Sequence, residues 1–267
     1  MNLKCREREF IAGRAGIVFN VVLLLYLAAR DLNIMPVACA GPSVQSAHRT
    51  SRTYTTKFPR TENPISESSN WINGKAVGLD WADVQVNPGL AFGDESGTAG
   101  YDDSTALLTG SWGPDQTAEA TVHVTNQQVP PIYEEVELRL RSSISAHKLT
   151  GYEINFQASS VSNAYVQVVR WNGPLGSLTY VTDRNGPGLH DGDVVKATIQ
   201  GSAITVYLNG TQILEGTDST YTTGTPGMGF YLQGATGLNA DYGFTKFTAS
   251  DGSDAPLAPT NVSGAAH

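Results

Sequence analysis

Short runs of alternating apolar and polar residues occupy most of the chain, from about residue 58 to residue 251. In the run TAEATVHVT, the residues that would share one face of a strand are apolar: Ala118, Ala120, Val122 and Val124. Successive side chains of a β-strand point to opposite faces, so this period of two predicts half-buried strands. The pairs Gly201-Ser202 and Asn209-Gly210 separate neighbouring runs and predict hairpin turns. No run in this range requires a helix, and an all-β domain is expected.

The first 40 residues form a different kind of segment. Basic residues up to Arg14 precede the apolar run 15–29, and Ala38-Cys39-Ala40 offers a small-x-small cleavage site. The apolar run is shorter than the roughly 20 residues that a membrane-spanning helix needs. We therefore expect a signal peptide and a secreted protein, extracellular or periplasmic. An uncleaved membrane anchor is the alternative, and a membrane partner is expected only in that case.

Three further boundaries follow from composition. Residues 41–57 are polar and aperiodic, which predicts a flexible lead-in to a domain that spans 58–251. Residues 252–267 are rich in Pro, Ala and Ser and predict a linker. Within it, APLAPTNVS resembles the opening of a fibronectin type III module, so truncation from a longer modular protein is one of two alternatives, the other being a linker alone.

Charge and cysteine content narrow the class of protein. Seventeen Lys and Arg against 25 Asp and Glu give the 267 residues a net charge of −8, which argues against a nucleic-acid partner. Cys5 and Cys39 are the only cysteines, and both precede the predicted domain. An exported domain without disulfides must rely on a large core, and this favours a bacterial origin.

The C-terminal strands carry a family resemblance. The runs KATIQGSAITVYLNGTQI, GTPGMGFYLQG and DYGFTKFTAS resemble the last third of concanavalin A-like jelly rolls of the laminin G-like kind. The resemblance covers about residues 58 to 251 and implies an antiparallel two-sheet jelly-roll sandwich. Its motifs are structural, so it indicates the fold and says little about function.

The run YEEVELRLRSS raises the question of glycoside hydrolysis. Glu135, Glu137 and Arg139 share one face of the predicted strand. Retaining glycosidases of this fold carry E-x-D-x-E on one strand, with two glutamates about 5 Å apart as nucleophile and acid/base. Arg139 stands at the third acidic position and cannot protonate a leaving group. The strand therefore argues against hydrolysis and predicts a solvated face with Glu/Arg pairs across strands.

A polysaccharide lyase of jelly-roll type is the alternative enzyme. Arg60-Thr61-Glu62, Thr121-Val122-His123 and Gly229-x-Tyr231-x-Gln233 follow the order of the motifs in alginate-lyase-like sandwiches. That resemblance implies β-elimination, with His123 and Tyr231 as base and acid. The chain departs from the pattern because Thr121 replaces a glutamine and Gly227 replaces a lysine.

A polar sheet face suited to sugars is the preferred site. If the strands from 117 to 171 form a meander, one face gathers charged, amide and aromatic side chains, including Glu119 and His123. Such groups hydrogen-bond sugar hydroxyls and stack on pyranose rings. Trp71 and Trp81 are expected in the core. The predicted ligand-binding residues are Trp112, Trp171, Tyr165, Glu137, Arg139, Asn155, Gln157 and Gln167. We thus expect a non-catalytic, lectin-like carbohydrate-binding module, with the lyase and a structural or adhesive module as alternatives.

One cofactor is implied by the resemblance. Laminin G-like sandwiches often hold one Ca²⁺ in rim loops, through carboxylates and backbone carbonyls. The candidate ligands here are Asp102, Asp103 and Asp241. No other cofactor is expected.

Overall fold

Two antiparallel β-sheets packed face to face form the described part of the chain. The structure is a computed structural model that describes residues 51–98, 100 and 103–252. The predicted all-β, two-sheet jelly-roll sandwich is confirmed. The predicted signal segment 1–40, Asp102 and nearly all of the predicted linker lie outside the described residues. Within the described ranges, no helix is long and apolar enough to cross a membrane.

Fifteen strands are found in the described residues. In chain order they are β1 (Thr53–Thr56), β2 (Trp71–Asn73), β3 (Val84–Asn87), β4 (Leu90–Gly93), β5 (Ser104–Leu108), β6 (Gln116–Val124), β7 (Tyr133–Ser145), β8 (Lys148–Gln157), β9 (Tyr165–Gly173), β10 (Leu178–Asn185), β11 (Val194–Gln200), β12 (Ala203–Leu208), β13 (Thr211–Thr217), β14 (Thr225–Gln233) and β15 (Tyr242–Ser250). Two short 3₁₀ turns, Lys75–Val77 and Asn239–Asp241, accompany them.

The strands divide between an eight-stranded and a seven-stranded sheet. Sheet I has the order β13-β12-β11-β6-β15-β4-β3, and β1 pairs with β15. Sheet II has the order β10-β9-β8-β7-β14-β5-β2. The predicted turns join β11 to β12 and β12 to β13, and Asn209 and Gly210 adopt φ of 50° and 78° there. Positive φ at both central residues is what a two-residue hairpin turn of this type requires.

The main core lies between the two sheets and follows the predicted alternation. Alternate residues of β6, from Ala118 to Val124, are buried there, and so are Val136, Leu138 and Leu140 of β7. Trp71 belongs to the same core, as expected. Glu135, Glu137 and Arg139 consequently point away from the core, onto the outer face of sheet II.

The predicted meander over 117–171 is wrong. Strand β6 pairs with β11 and β15 in sheet I, whereas β7, β8 and β9 are neighbours in sheet II. Glu119 and His123 therefore lie on the outer face of the opposite sheet. The predicted lead-in 41–57 is also wrong at its end, because Thr53–Thr56 is a strand paired with β15.

A segment before β3 covers one end of the outer face of sheet II. Leu79 and Trp81 pack there on Leu149, Val169 and Trp171 in a second apolar cluster. Trp81 and Trp171 meet edge to face, with ring centroids 4.5 Å apart. Trp81 is buried as expected, but in this outer cluster and not in the core between the sheets. The cluster excludes water from the polar residues next to it.

Candidate functional site

A cavity of ≈ 240 Å³ opens on the outer face of sheet II, beside the second apolar cluster, which contains Trp81. It is lined by carboxyl, amide, tyrosine and apolar side chains: Asp103, Tyr133, Glu135, Glu153, Asn155, Tyr165, Gln167, Val169, Trp171, Leu178, Tyr180, Tyr231 and Gln233. Ligand pockets for larger organic molecules measure about 300–1,000 Å³, so this cavity suits one small unit such as a single sugar ring.

Strand register explains why these side chains converge. Tyr231 of β14 lies directly opposite Glu135 of β7, and Gln233 lies opposite Tyr133. Side chains directly opposite each other on one face of an antiparallel pair are about 4.5–5.5 Å apart at Cβ. Strands that are distant in sequence thereby bring their polar residues to one place.

The outward-pointing polar residues of sheet II next to the cavity form a buried polar face. Arg139 lies at its centre, with none of its side chain exposed. Its Nη1 donates to Glu153 Oε2 at 2.6 Å, and its Nη2 donates to Glu137 Oε2. Nη2 is also 3.6 Å from Asp103 Oδ2. The Trp81 ring covers the guanidinium, with Cζ 5.1 Å from its centroid. The predicted solvated face is therefore wrong, because these groups are buried.

Gly229 makes room for the ion pair between Glu137 and Arg139. It lies directly opposite Glu137 in the register of β14 and β7. A Cβ at this position would overlap Glu137 Oε2 and would come within 2.7 Å of Arg139 Nη2 and 2.8 Å of Ser104 O. The carboxylate and the guanidinium lie flat over the β14 backbone for this reason.

Burial raises the pKa of three carboxyl groups in the site. The pKa of Glu135 is raised to about 8, first by burial, and the Tyr165 hydroxyl that donates to it opposes the shift. Burial and the nearby carboxylates raise the pKa of Glu137 and of Asp103 well above the ordinary value, and Arg139 opposes the shift at both. Burial therefore favours the protonated form of these carboxyl groups.

The polar contacts of Asn155 fix the orientation of its amide. Its Nδ2 donates to Glu153 Oε1 at 3.1 Å and to Gln167 Oε1 at 3.3 Å. Because both partners accept through oxygen, the amide nitrogen must face them. Asn155 Oδ1 is buried and has no hydrogen-bond partner among the described residues. A buried acceptor of this kind calls for a donor from elsewhere.

Three donors from the protein hold Glu153. Its Oε2 accepts from Arg139 Nη1 and from Trp171 Nε1, the latter at 2.5 Å, while Oε1 accepts from Asn155. Trp171 is 2% exposed. Its indole thus positions Glu153 and leaves little of the ring for stacking.

The structure gathers most of the predicted ligand-binding residues. Tyr165, Asn155, Gln167 and Trp171 line the cavity. Those next to it on the same face are buried: Glu137, Arg139 and Gln157. Trp112 was placed wrongly, because it packs in the core between the sheets, under the guanidinium of Arg52 at 4.3 Å.

Several lining residues escaped the sequence analysis. These are Tyr133, Tyr180, Glu153 and Gln233, with Tyr231, which had been considered only as an acid in the lyase alternative. A signal for Tyr133 was present, since it shares strand parity with Glu135. Tyr231 and Gln233 could be placed only through the register of β14 on β7.

The geometry contradicts the prediction that His123 and Tyr231 act together as the base and acid of a lyase. Val122 is buried in the core, so His123 points outward from sheet I, where its Nδ1 lies 3.1 Å from Asp191 Oδ1. Phe230 and Leu232 are buried in the core, so Tyr231 points outward from sheet II. The two side chains lie on opposite outer faces and cannot flank one bond of a substrate.

The acidic residues do not fit a metal ion while Arg139 is present. One carboxylate oxygen from each of Asp103, Glu137 and Glu153 lies within 4.8 Å of the others, as a cation site requires. The Arg139 guanidinium contacts all three and takes the place of such a cation. Asp241, the other described candidate for Ca²⁺, accepts from Asn126 Nδ2 at 3.0 Å away from this triad.

No known protein family matches the sequence, and no curated protein matches it. Among solved structures, a carbohydrate binding module from Bacillus subtilis, CBM66, is 20% identical, with a TM-score of 0.45 over 67% of this chain and 98% of its own. The Emp47p carbohydrate recognition domain is 11% identical, with a TM-score of 0.48 over 74% and 95% of the two chains. The CBM2 module of the evolved Dit of Lactobacillus casei BL23 phage J-1 is 13% identical, with a TM-score of 0.48 over 75% and 96%.

Proposed function

We propose that this protein is a carbohydrate-binding module that takes one sugar unit of a glycan into the cavity on sheet II. The observation that carries the proposal is the combination of tyrosine rings with buried planar polar groups in one small cavity. Tyr180 lies at the edge of the cavity, is 56% exposed and offers a ring face to a pyranose. Asn155 Oδ1 offers a buried acceptor to a sugar hydroxyl.

We further propose that the module is non-catalytic. Glu153 is held by three donors from the protein, which occupy most of its lone pairs and fix it as the partner of Arg139. Arg139 stands where a second ionisable carboxyl would be needed on β7. Incubation with the polysaccharides that bind is expected to release no reducing ends and no unsaturated uronates. Production of either at a rate that Glu153→Gln abolishes would contradict this proposal.

Binding is tested by affinity gel electrophoresis and a glycan array with matched tyrosine variants. Tyr180→Ala is expected to weaken binding about 2–10-fold, since a ring contact is worth about 0.5–1.5 kcal/mol. Tyr207→Ala is the control, because Tyr207 is a partly exposed tyrosine of β12 in sheet I. The proposal fails if the wild-type protein binds no glycan, or if both variants weaken binding equally.

Export is proposed from the sequence of residues 1–40 alone. The mature protein, isolated from the medium or the periplasm of a bacterial host, is expected to begin after Ala40. Intact-mass measurement checks this. A full-length mass in the membrane fraction would favour the uncleaved anchor.

A further inference from the structure

Negative and positive charges occupy different places at the cavity. Carboxyl groups line it, whereas the guanidinium of Arg139 is buried next to it. Four carboxyl groups belong to the site: Asp103, Glu135, Glu137 and Glu153. Arg139 is the one cationic side chain among the described residues that contacts any of them, and it contacts Asp103, Glu137 and Glu153. The cavity lining itself contains no described lysine, arginine or histidine. The positive charge is therefore buried next to the cavity, and the described lining residues carry none.

Arg139 cannot turn toward a ligand without breaking the buried network. Its two Nη atoms are bonded to Glu153 and Glu137, and its side chain is fully buried under Trp81. Removing one member of such a set leaves an uncompensated buried charge. The guanidinium is thus a structural counter-ion and is not available to a ligand carboxylate or sulfate.

The cavity lining includes a buried acceptor that the described residues leave unsatisfied. The Tyr165 hydroxyl donates to Glu135, and the Tyr231 hydroxyl donates to Gln233 Oε1 at 2.7 Å, so both protons are used within the protein. The Asn155 amide nitrogen is likewise engaged, whereas its Oδ1 is buried without a partner. A ligand that fits must supply a donor to Asn155 Oδ1.

We propose that the cavity selects a saccharide unit that carries no negative charge and donates hydroxyl hydrogens to its acceptors, and that it excludes uronate, sialate and sulfated units. This inference rests on the proposed carbohydrate binding and adds the charge class of the ligand. A ligand carboxylate would enter beside Glu135 and Glu153 with no cation to pair with, and burying an unpaired charge is unfavourable. Specificity therefore comes from the cost of desolvating an unpaired charge as well as from attraction.

The test compares polymers that differ in charge. Affinity gels contain dextran or carboxymethyl-dextran, galactan or polygalacturonate, and mannan or alginate. We expect at least one neutral polymer to retard the protein, and its anionic counterpart to bind at least about tenfold more weakly at low ionic strength. Equal or tighter binding of the anionic counterpart, lost in Tyr180→Ala, would overturn the charge selectivity and leave carbohydrate binding intact. Failure of all six polymers and of the glycan array would refute the proposed function itself.

A gain-of-function variant tests the cause of the selectivity. Gln167→Lys places an ammonium group in the cavity lining, where Gln167 is partly exposed. It is expected to tighten binding of the anionic counterpart at least about tenfold over wild type. Thr205→Lys adds the same charge to a partly exposed position of β12 in sheet I and is the control. If Thr205→Lys gains as much as Gln167→Lys, net charge explains the effect and the inference is wrong.

Discussion

Replacing Arg139 by methionine removes the cation that contacts the buried carboxyl groups on the outer face of sheet II. The guanidinium contacts Asp103, Glu137 and Glu153, and all of these groups are buried. Methionine is similar in length and apolar, so the substitution removes the charge and the donors while filling much of the space. Three carboxyl groups then remain without their counter-ion.

The expected loss of stability at neutral pH is large. Breaking a buried ion pair by removing one partner costs about 3–5 kcal/mol. Loss of the contact with the Trp81 ring adds as much as about 2 kcal/mol, partly offset by the buried methionine side chain. A typical domain has about 5–15 kcal/mol of stability in total, so the variant is expected to fold with a small margin.

The loss should depend on pH in a defined direction. The pKa of Asp103, of Glu135 and of Glu137 is raised in the folded state, so the folded protein holds more protons than the unfolded chain above the ordinary carboxyl range. Stability then falls as pH rises, by up to about 1.4 kcal/mol per pH unit for each such group. Removing Arg139 raises these pKa values further. In the wild type these groups ionise as pH passes their raised pKa, about 8 for Glu135, so the loss in the variant relative to wild type should grow as pH rises through about 8.

Equilibrium urea unfolding, followed by tryptophan fluorescence at about pH 6 and about pH 9, measures this difference. Arg184→Met is the control, because Arg184 lies at an exposed position of β10 and should change stability by less than about 0.5 kcal/mol. The electrostatic reasoning is refuted if Arg139→Met loses no more than the control at about pH 9. A large loss of equal size at both pH values would also refute it, and would indicate a packing defect.

Three further outcomes follow from the same site. Gly229→Ala should lower the free energy of unfolding by about 1–3 kcal/mol, whereas Gly100→Ala, whose Cβ meets nothing within 4 Å, should leave it nearly unchanged in the same urea assay. Glu135→Gln should flatten the fall in stability between about pH 5 and about pH 8, because the glutamine accepts from Tyr165 without titrating; an unchanged slope would contradict the raised pKa. His123→Ala should leave glycan retardation unchanged, and a loss equal to that of Tyr180→Ala would contradict a site on sheet II.

The inward faces of the strands could be predicted because they depend on local rules. A period of two assigns Val136, Leu138 and Leu140 to one side wherever the strand is placed. The turn at Asn209-Gly210 follows likewise from the backbone angles that these residue types tolerate. Fold class was accessible from such patterns without knowledge of strand order.

The pairing of strands was not accessible from the same patterns. Alternation shows that His123 and Glu135 both point away from a core, but it does not show from which sheet. Strand β6 pairs with β11 and β15, which follow it by many residues, so its neighbours in the chain do not identify its sheet. The long-range register of β14 on β7 places Tyr231 directly opposite Glu135, in the other sheet from His123.

The burial of the polar face depends on a segment that lies before the strands it covers. Glu135, Glu137 and Arg139 have the spacing of an exposed strand face, and the packing of Leu79 and Trp81 on sheet II covers this end of the face. Because the face is buried, the arginine at the third acidic position affects both catalysis and stability. Arg139 removes a carboxyl that hydrolysis would need, and it also supplies the positive charge that stabilises the remaining carboxyl groups beside the cavity. The same substitution thus argues against catalysis and leaves a cavity whose lining offers acceptors to an uncharged ligand.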